Sequence, residues 1–102
     1  MWNKPTPKML NKIPRIGKQD GVRDPKVYLK FFIGGWTWYV TEYDPKERLF
    51  FGLVVSPMMP EGEWGYFSYD ELRSIRKGFM EIDRDMYTVS PYEPKRLSEI
   101  RR

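Results

Sequence analysis

The chain contains no histidine and no cysteine among its 102 residues. The first absence removes the side chain that most often acts as a general base near neutral pH, and the second removes disulfides, thiolate nucleophiles and sulfur ligands for zinc. A catalytic serine would need a lysine or carboxylate as its base. No GxxxxGK[ST] or GxGxxG pattern occurs, so neither common phosphate-binding loop is written here. The longest apolar run, near Leu49 to Val55, falls far short of the ~20 residues that cross a bilayer. The opening residues Met1-Trp2-Asn3-Lys4-Pro5 lack the apolar segment of a secretion signal. Together these features predict a cytoplasmic, non-enzymatic protein with no catalytic, cofactor-binding or metal-binding residues and no membrane contact.

What is present is an apolar content of 40% with 17% aromatic residues, enough to close one core in one domain spanning 1–102. The net charge of +4 is unevenly spread. Residues 1–26 hold seven Lys or Arg against two Asp, whereas residues 27–67 hold three against five acids. A basic arm beside a nearly neutral body is either an electrostatic footprint for an acidic partner or a solvated terminus.

Thr6 and Pro7 start a short N-terminal helix that Pro14 stops, within a basic arm over 1–26. Residues 27–67 alternate in the strand period. Val27 to Ile33 and Trp36 to Tyr43 flank Gly34-Gly35, a two-residue hairpin turn. In the second strand Tyr39, Thr41 and Tyr43 are expected on one side, against Trp36, Trp38 and Val40 on the other. Asp44-Pro45-Lys46-Glu47 turns the chain into Arg48 to Ser56, and after a Pro57 to Gly62 loop Trp64 to Phe67 forms a fourth strand. Ser68-Tyr69-Asp70-Glu71 reads as a capping box opening a helix over 68–78 that Gly78 ends. Residues 79–102 supply a last short strand at Asp85 to Val89 and a C-terminal tail. The expected fold is α+β: an antiparallel meander of four to five strands covered by one main helix, with a short N-terminal helix.

Among the acids, Glu42 and Asp44 sit at i and i+2 of a strand, about 7 Å apart by strand rise. A carboxylate enzyme centred on Glu42, Asp44 and Asp85 is thus a remote reading, and turn-capping acids are the simpler one. Lys26-Val27-Tyr28-Leu29-Lys30-Phe31-Phe32 interleaves bases with aromatics, as single-stranded nucleic-acid binders do. That reading requires Tyr28, Phe32, Tyr39 and Tyr43 to line an uncovered sheet face. Met58 and Met59 are either adaptable contact groups or a lid on the core edge, the lid being the simpler.

The stretch Trp36-Thr37-Trp38-Tyr39-Val40-Thr41-Glu42-Tyr43-Asp44, with Phe50-Phe51-Gly52-Leu53-Val54, Gly65 to Leu72 and Ile82-Asp83-Arg84-Asp85, resembles the bacterial family called domain of unknown function 2958. The resemblance extends over roughly residues 6 to 100. It implies a short protein of plasmids, phages and other mobile elements, encoded near DNA-transfer and anti-restriction genes. Positions shared with the family are Trp38, Thr41, Glu42, Asp44, Phe51, Gly52, Gly65, Ser68, Glu71, Leu72, Arg84 and Asp85. Of these, the polar Thr41, Glu42, Arg84 and Asp85 are the ones that capping and turns explain least.

The functional expectation is a mobile-element or phage accessory protein that binds a host or mobile-element protein, with counter-defence inhibition as one form. The alternative is direct binding of single-stranded or structured nucleic acid. The candidate partner-binding residues are Lys4, Lys8, Lys12, Arg15, Lys18, Lys30, Met58, Met59, Arg73, Arg76 and Lys77.

Overall fold

A computed structural model describes residues 3–101; Met1, Trp2 and Arg102, at the ends of the expected arm and tail, lie outside them. Helix α1 (Pro7–Asn11) begins as its sequence predicts, with the Thr6 hydroxyl accepting from the Met9 amide at 3.1 Å. Pro5, Met9 and Ile13 are buried, so this arm is seated on the body although its lysines face outward.

The main sheet is antiparallel. Its strands are β2 (Leu29–Ile33), β3 (Trp36–Asp44), β4 (Leu49–Ser56), β5 (Met59–Ser68) and, from much later in the chain, β8 (Asp83–Arg84), in the order β5-β4-β3-β2-β8. The short β1 (Lys26–Val27) precedes β2 and pairs with β9 (Lys95–Arg96) near the C-terminus. Gly34, at φ 55°, opens the β2–β3 turn. The β3–β4 turn is held by Asp44 Oδ1, which accepts from the Lys46 amide at 2.9 Å. Pro57-Met58 makes a tight turn into β5, and strand pairing resumes at Ser56 with Met59. The expected loop at 57–62 is thus mostly strand, and β5 is far longer than the four residues anticipated.

The α+β expectation fails at its helix. Among the described residues the helices are short: α1 and α2 (Tyr69–Arg73) have five residues each and α3 (Leu97–Ile100) has four. Ser68 caps α2 as expected, accepting from the Glu71 amide at 3.3 Å. However, the Ser74 hydroxyl donates to the Glu71 carbonyl at 2.6 Å and Arg76 Nη1 to the Arg73 carbonyl at 3.1 Å, so carbonyls of the last turn find partners other than a further helical turn. The chain then forms a further, separate hairpin, β6 (Arg76–Lys77) and β7 (Met80–Glu81), in which Gly78 at φ 61° supplies the turn instead of ending a helix. The molecule is therefore mainly β. The last strand of the main sheet is Asp83–Arg84, not 85–89, because Asp85 begins a turn.

One face of the sheet packs Leu29, Phe31, Trp38, Val40, Tyr43 and Phe50 against Ile13, Tyr69, Leu72 and Ile82. Phe50 is the hub, its ring 4.8 to 5.9 Å from those of Tyr43, Phe67, Phe31 and Tyr69; such pairs contribute about 0.5–1.5 kcal/mol each beyond area burial. The other face buries Tyr39 and Leu53 under Val27, Val89, Leu97 and Ile100, so the C-terminal segment, not a helix of the expected length, covers it. A β-bulge at Thr41 separates the pairs Val40–Gly52 and Glu42–Phe51. The extra residue reverses side-chain parity, placing Tyr43 with Trp38 and Val40 instead of with Tyr39.

Candidate functional site

The four polar positions left unexplained by sequence all resolve into clamps. The Thr41 hydroxyl donates to the Phe51 carbonyl at 3.1 Å, across the bulge. The Glu42 carboxylate, 4% exposed, accepts the Gly17 amide at 2.9 Å and the Gln19 amide at 2.6 Å, anchoring the loop over residues 15–25. Arg84 Nε donates to the Asn3 carbonyl at 2.9 Å, while Asp83 Oδ1 accepts from the Asn3 amide and side chain at 2.9 and 2.7 Å. Asp85 accepts from the amides of Tyr87 and Thr88, both at 2.9 Å, and from the Thr88 hydroxyl at 2.6 Å. Burial pushes the Asp85 carboxyl up, but the Thr88 and Tyr87 bonds and the Lys30 ammonium outweigh it and hold the group down at about 2. Glu42, Asp44 and Asp85 occupy separate clamps. Among the described residues no group of three or more Asp, Glu, His or Cys comes together as a metal set.

The candidate cations disperse. Lys4, Lys8, Lys12, Arg15 and Lys18 are exposed along the arm and the loop after it, with the Lys12 ammonium 5.3 Å from the Tyr92 ring centre. Lys30 is mostly covered, 3.4 Å from Asp85 and over the Tyr39 ring. Arg73, Arg76 and Lys77 are all exposed at the α2–β6 junction, where Arg76 Nη1 donates to the Arg73 backbone carbonyl at 3.1 Å and Arg76 also pairs with Glu81 at 3.6 Å. Beside them lie a fully exposed Phe79 and Phe32, 40% exposed, around an open cavity of about 460 Å³. The stacking platform imagined from sequence is not formed, because Tyr39 and Tyr43 are buried on opposite faces and Tyr28 is half-buried. Met58 is 85% exposed at its turn, which excludes the lid role for it, while Met59 is half-buried.

A second surface was missed by sequence reasoning. Strand β5 is one edge of the main sheet, opposite the two-residue β8, and on it Trp64 and Tyr66 are 45% and 61% exposed. They are fixed against Phe51: the Trp64 ring stacks at 6.0 Å and 18°, and Tyr66 meets it edge-on at 5.0 Å. The loop held by Glu42 walls a depression of about 220 Å³ beside them, lined by Asp20, Val22 and Arg23 among others. The pattern Trp-x-Tyr on one strand carried the signal, but only knowledge that β5 is an edge turns it into a surface.

A family model described as "Protein of unknown function (DUF2958)" matches residues 6–98. The chain belongs to that family. In this DUF2958 chain Thr41 braces the bulge, Glu42 holds the loop before the sheet, Arg84 holds the N-terminal segment and Asp85 holds the turn that follows it. No curated protein and no solved structure matches it. Among the described residues no helix is long and apolar enough to cross a membrane.

Proposed function

We propose that this DUF2958 protein is a non-enzymatic docking protein of a cytoplasmic mobile element or phage, working by protein–protein contact through the aromatic edge of its sheet. The observation that carries the reading is the pair Trp64 and Tyr66, large rings held against Phe51 of the neighbouring β4 yet open to solvent on an edge strand. Aromatic side chains already immobilised lose little freedom on binding and are the commonest anchors of protein interfaces. The mobile-element setting of the resemblance makes a host defence or DNA-transfer protein the proposed partner, with counter-defence inhibition as the outcome.

The test places a photo-cross-linking residue at Tyr66 and, as control, at Lys46, in cells carrying the element. Covalent capture of a defence or transfer protein from Tyr66 alone is expected. Capture of nothing, or equal capture from Lys46, overturns the reading.

A second reading rests on Arg73, Arg76 and Lys77 beside Phe79 and Phe32, where bases and exposed rings share one end of the molecule. Nucleic-acid binding there weakens steeply with salt. Titrating labelled single- and double-stranded oligonucleotides at two salt concentrations, with the three cations changed to Ala in parallel, decides it. No binding at low salt removes it.

A further inference from the structure

The β4–β5 hairpin has a charge character opposite to that of the whole chain. Between Leu49 and Leu72 there is no Lys or Arg, although the chain holds 18 of them, and the acids in this stretch are Glu61, Glu63, Asp70 and Glu71. Asp70 is committed to Arg48, whose guanidinium reaches it with two hydrogen bonds at 3.0 and 3.2 Å. Arg101 donates to the Pro60 carbonyl at 2.8 Å, and the exposed Arg23 lines the depression on the Trp64 side, away from the face of Glu63. Glu61 and Glu63 remain exposed on the edge strand itself.

Strand alternation assigns the two sides of this edge different chemistries. Trp64 and Tyr66 point to one face, and Glu63 points to the other. Pairing with β4 runs in unbroken register from Glu63 to Ser68, whereas Gly62, at φ 90°, and the irregularity at Val54 to Ser56 interrupt it above. The regular edge is therefore short, with Trp64 and Tyr66 on one side and Glu63 ahead of the half-buried Phe67 on the other. Exposed edges are usually blunted by lysine or proline, and within Glu63–Ser68 this one has neither.

We infer that the edge of β5 receives an extended basic segment of the partner protein as a sixth strand, its apolar side chains on Trp64 and Tyr66 and its alternate lysines or arginines toward Glu61 and Glu63. The inference rests on the docking function proposed above and specifies its partner. Main-chain pairing supplies affinity in such strand addition, and alternate side chains supply selectivity. The charge decides among occupants. A second copy would set acidic edge against acidic edge, and a nucleic-acid strand would bring phosphates to carboxylates; both are repelled. A basic segment is attracted.

The test uses the full chain with two synthetic probes, short peptides of alternating lysine and valine or of alternating glutamate and valine. Amide hydrogen exchange across residues 63–67 is expected to slow about tenfold or more with the lysine peptide and to stay unchanged with the glutamate peptide. A variant carrying Glu61→Lys and Glu63→Lys, both at exposed positions, is expected to reverse that preference. Absence of protection, or equal protection by both peptides, overturns the inference and leaves the two glutamates as guards against edge pairing. Cross-linking from Tyr66 without protection of β5 defeats strand addition while the docking function stands; failure of both defeats the two together.

Discussion

Glu42 and Gln19 form a reciprocal lock on the loop that precedes the sheet. The Glu42 carboxylate accepts the Gln19 amide at 2.6 Å, and the Gln19 side chain in turn donates to the carbonyls of Thr41 and Lys26 at 2.9 and 2.8 Å and accepts the Lys26 amide at 2.8 Å. A strand acid without an evident cap is thus the loop's attachment point.

Glu42→Gln tests that lock. Glutamine offers one acceptor oxygen where two amides now meet a carboxylate, and bonds to a charged group are worth about 1.5–3 kcal/mol. The expected loss is about 2 kcal/mol, read as a lower urea midpoint with an unchanged slope. An unaltered midpoint would show that the loop is held by other contacts.

Gly52 and Gly65 are partners across β4 and β5 but differ in what a side chain would meet. A Cβ at Gly52 would lie 1.8 Å from the Tyr39 carbonyl oxygen, because the Thr41 bulge brings β3 in close; at Gly65 it would meet nothing within 4 Å. Gly52→Ala is expected to destabilise by about 3 kcal/mol or more, the range of overpacked cores, and Gly65→Ala to change stability by less than about 0.5 kcal/mol. Thermal melts of the pair check this. Equal effects would contradict the close approach at the bulge.

The strands were legible where local chemistry marks them. Gly34-Gly35 and Asp44-Pro45 announce their turns, and the alternation from Leu29 to Val55 shows its period directly. Three features were not legible. The Thr41 bulge inserts one residue without any composition signal and so moved Tyr43 to the opposite face. Ser68 opens α2 as written, but its end depended on Ser74 and on the pairing of Arg76 with Glu81, which is tertiary and not propensity. Phe51, Trp64 and Tyr66 look like core residues until the order of strands makes β5 an edge. The polar clamps share that dependence: Arg84 and Asn3 lie at opposite ends of the chain, and nothing in their spacing announces a contact.

Acid sensitivity follows from Asp85. Its carboxyl titrates near 2 in the fold, below the ordinary value of 3.8, so its contribution to stability is fully present above about pH 4 and is lost as pH falls toward 2. Asp83, also lowered, acts in the same direction: burial raises it, but bonds from Arg84 and Asn3 prevail. Asp85→Asn should therefore flatten the decline in urea midpoint between pH 4 and pH 2 relative to the parent chain. Parallel curves for the two proteins would show that the Thr88 and Lys30 contacts do not favour the carboxylate.

The N-terminal arm separates packing from charge. Its sequence reads as basic and solvent-loving, yet Ile13 is only 1% exposed and belongs to the same core cluster as Phe31 and Tyr43, and the Tyr43 amide donates to the Pro14 carbonyl at 2.8 Å. A solvated tail would lose nothing on truncation of an isoleucine. A seated one loses the packing of a buried side chain, which costs about 2–5 kcal/mol for Ile→Ala. Replacing Lys4, Lys8 and Lys18 together by Gln removes three exposed charges and is expected to shift stability by no more than about 0.5 kcal/mol. Urea titration of both variants checks the contrast. If Ile13→Ala matched the lysine variant, the arm would be electrostatic decoration; a large loss for Ile13→Ala alone makes α1 a structural element of the sheet's inner face, with its lysines incidental to folding and free to face a partner.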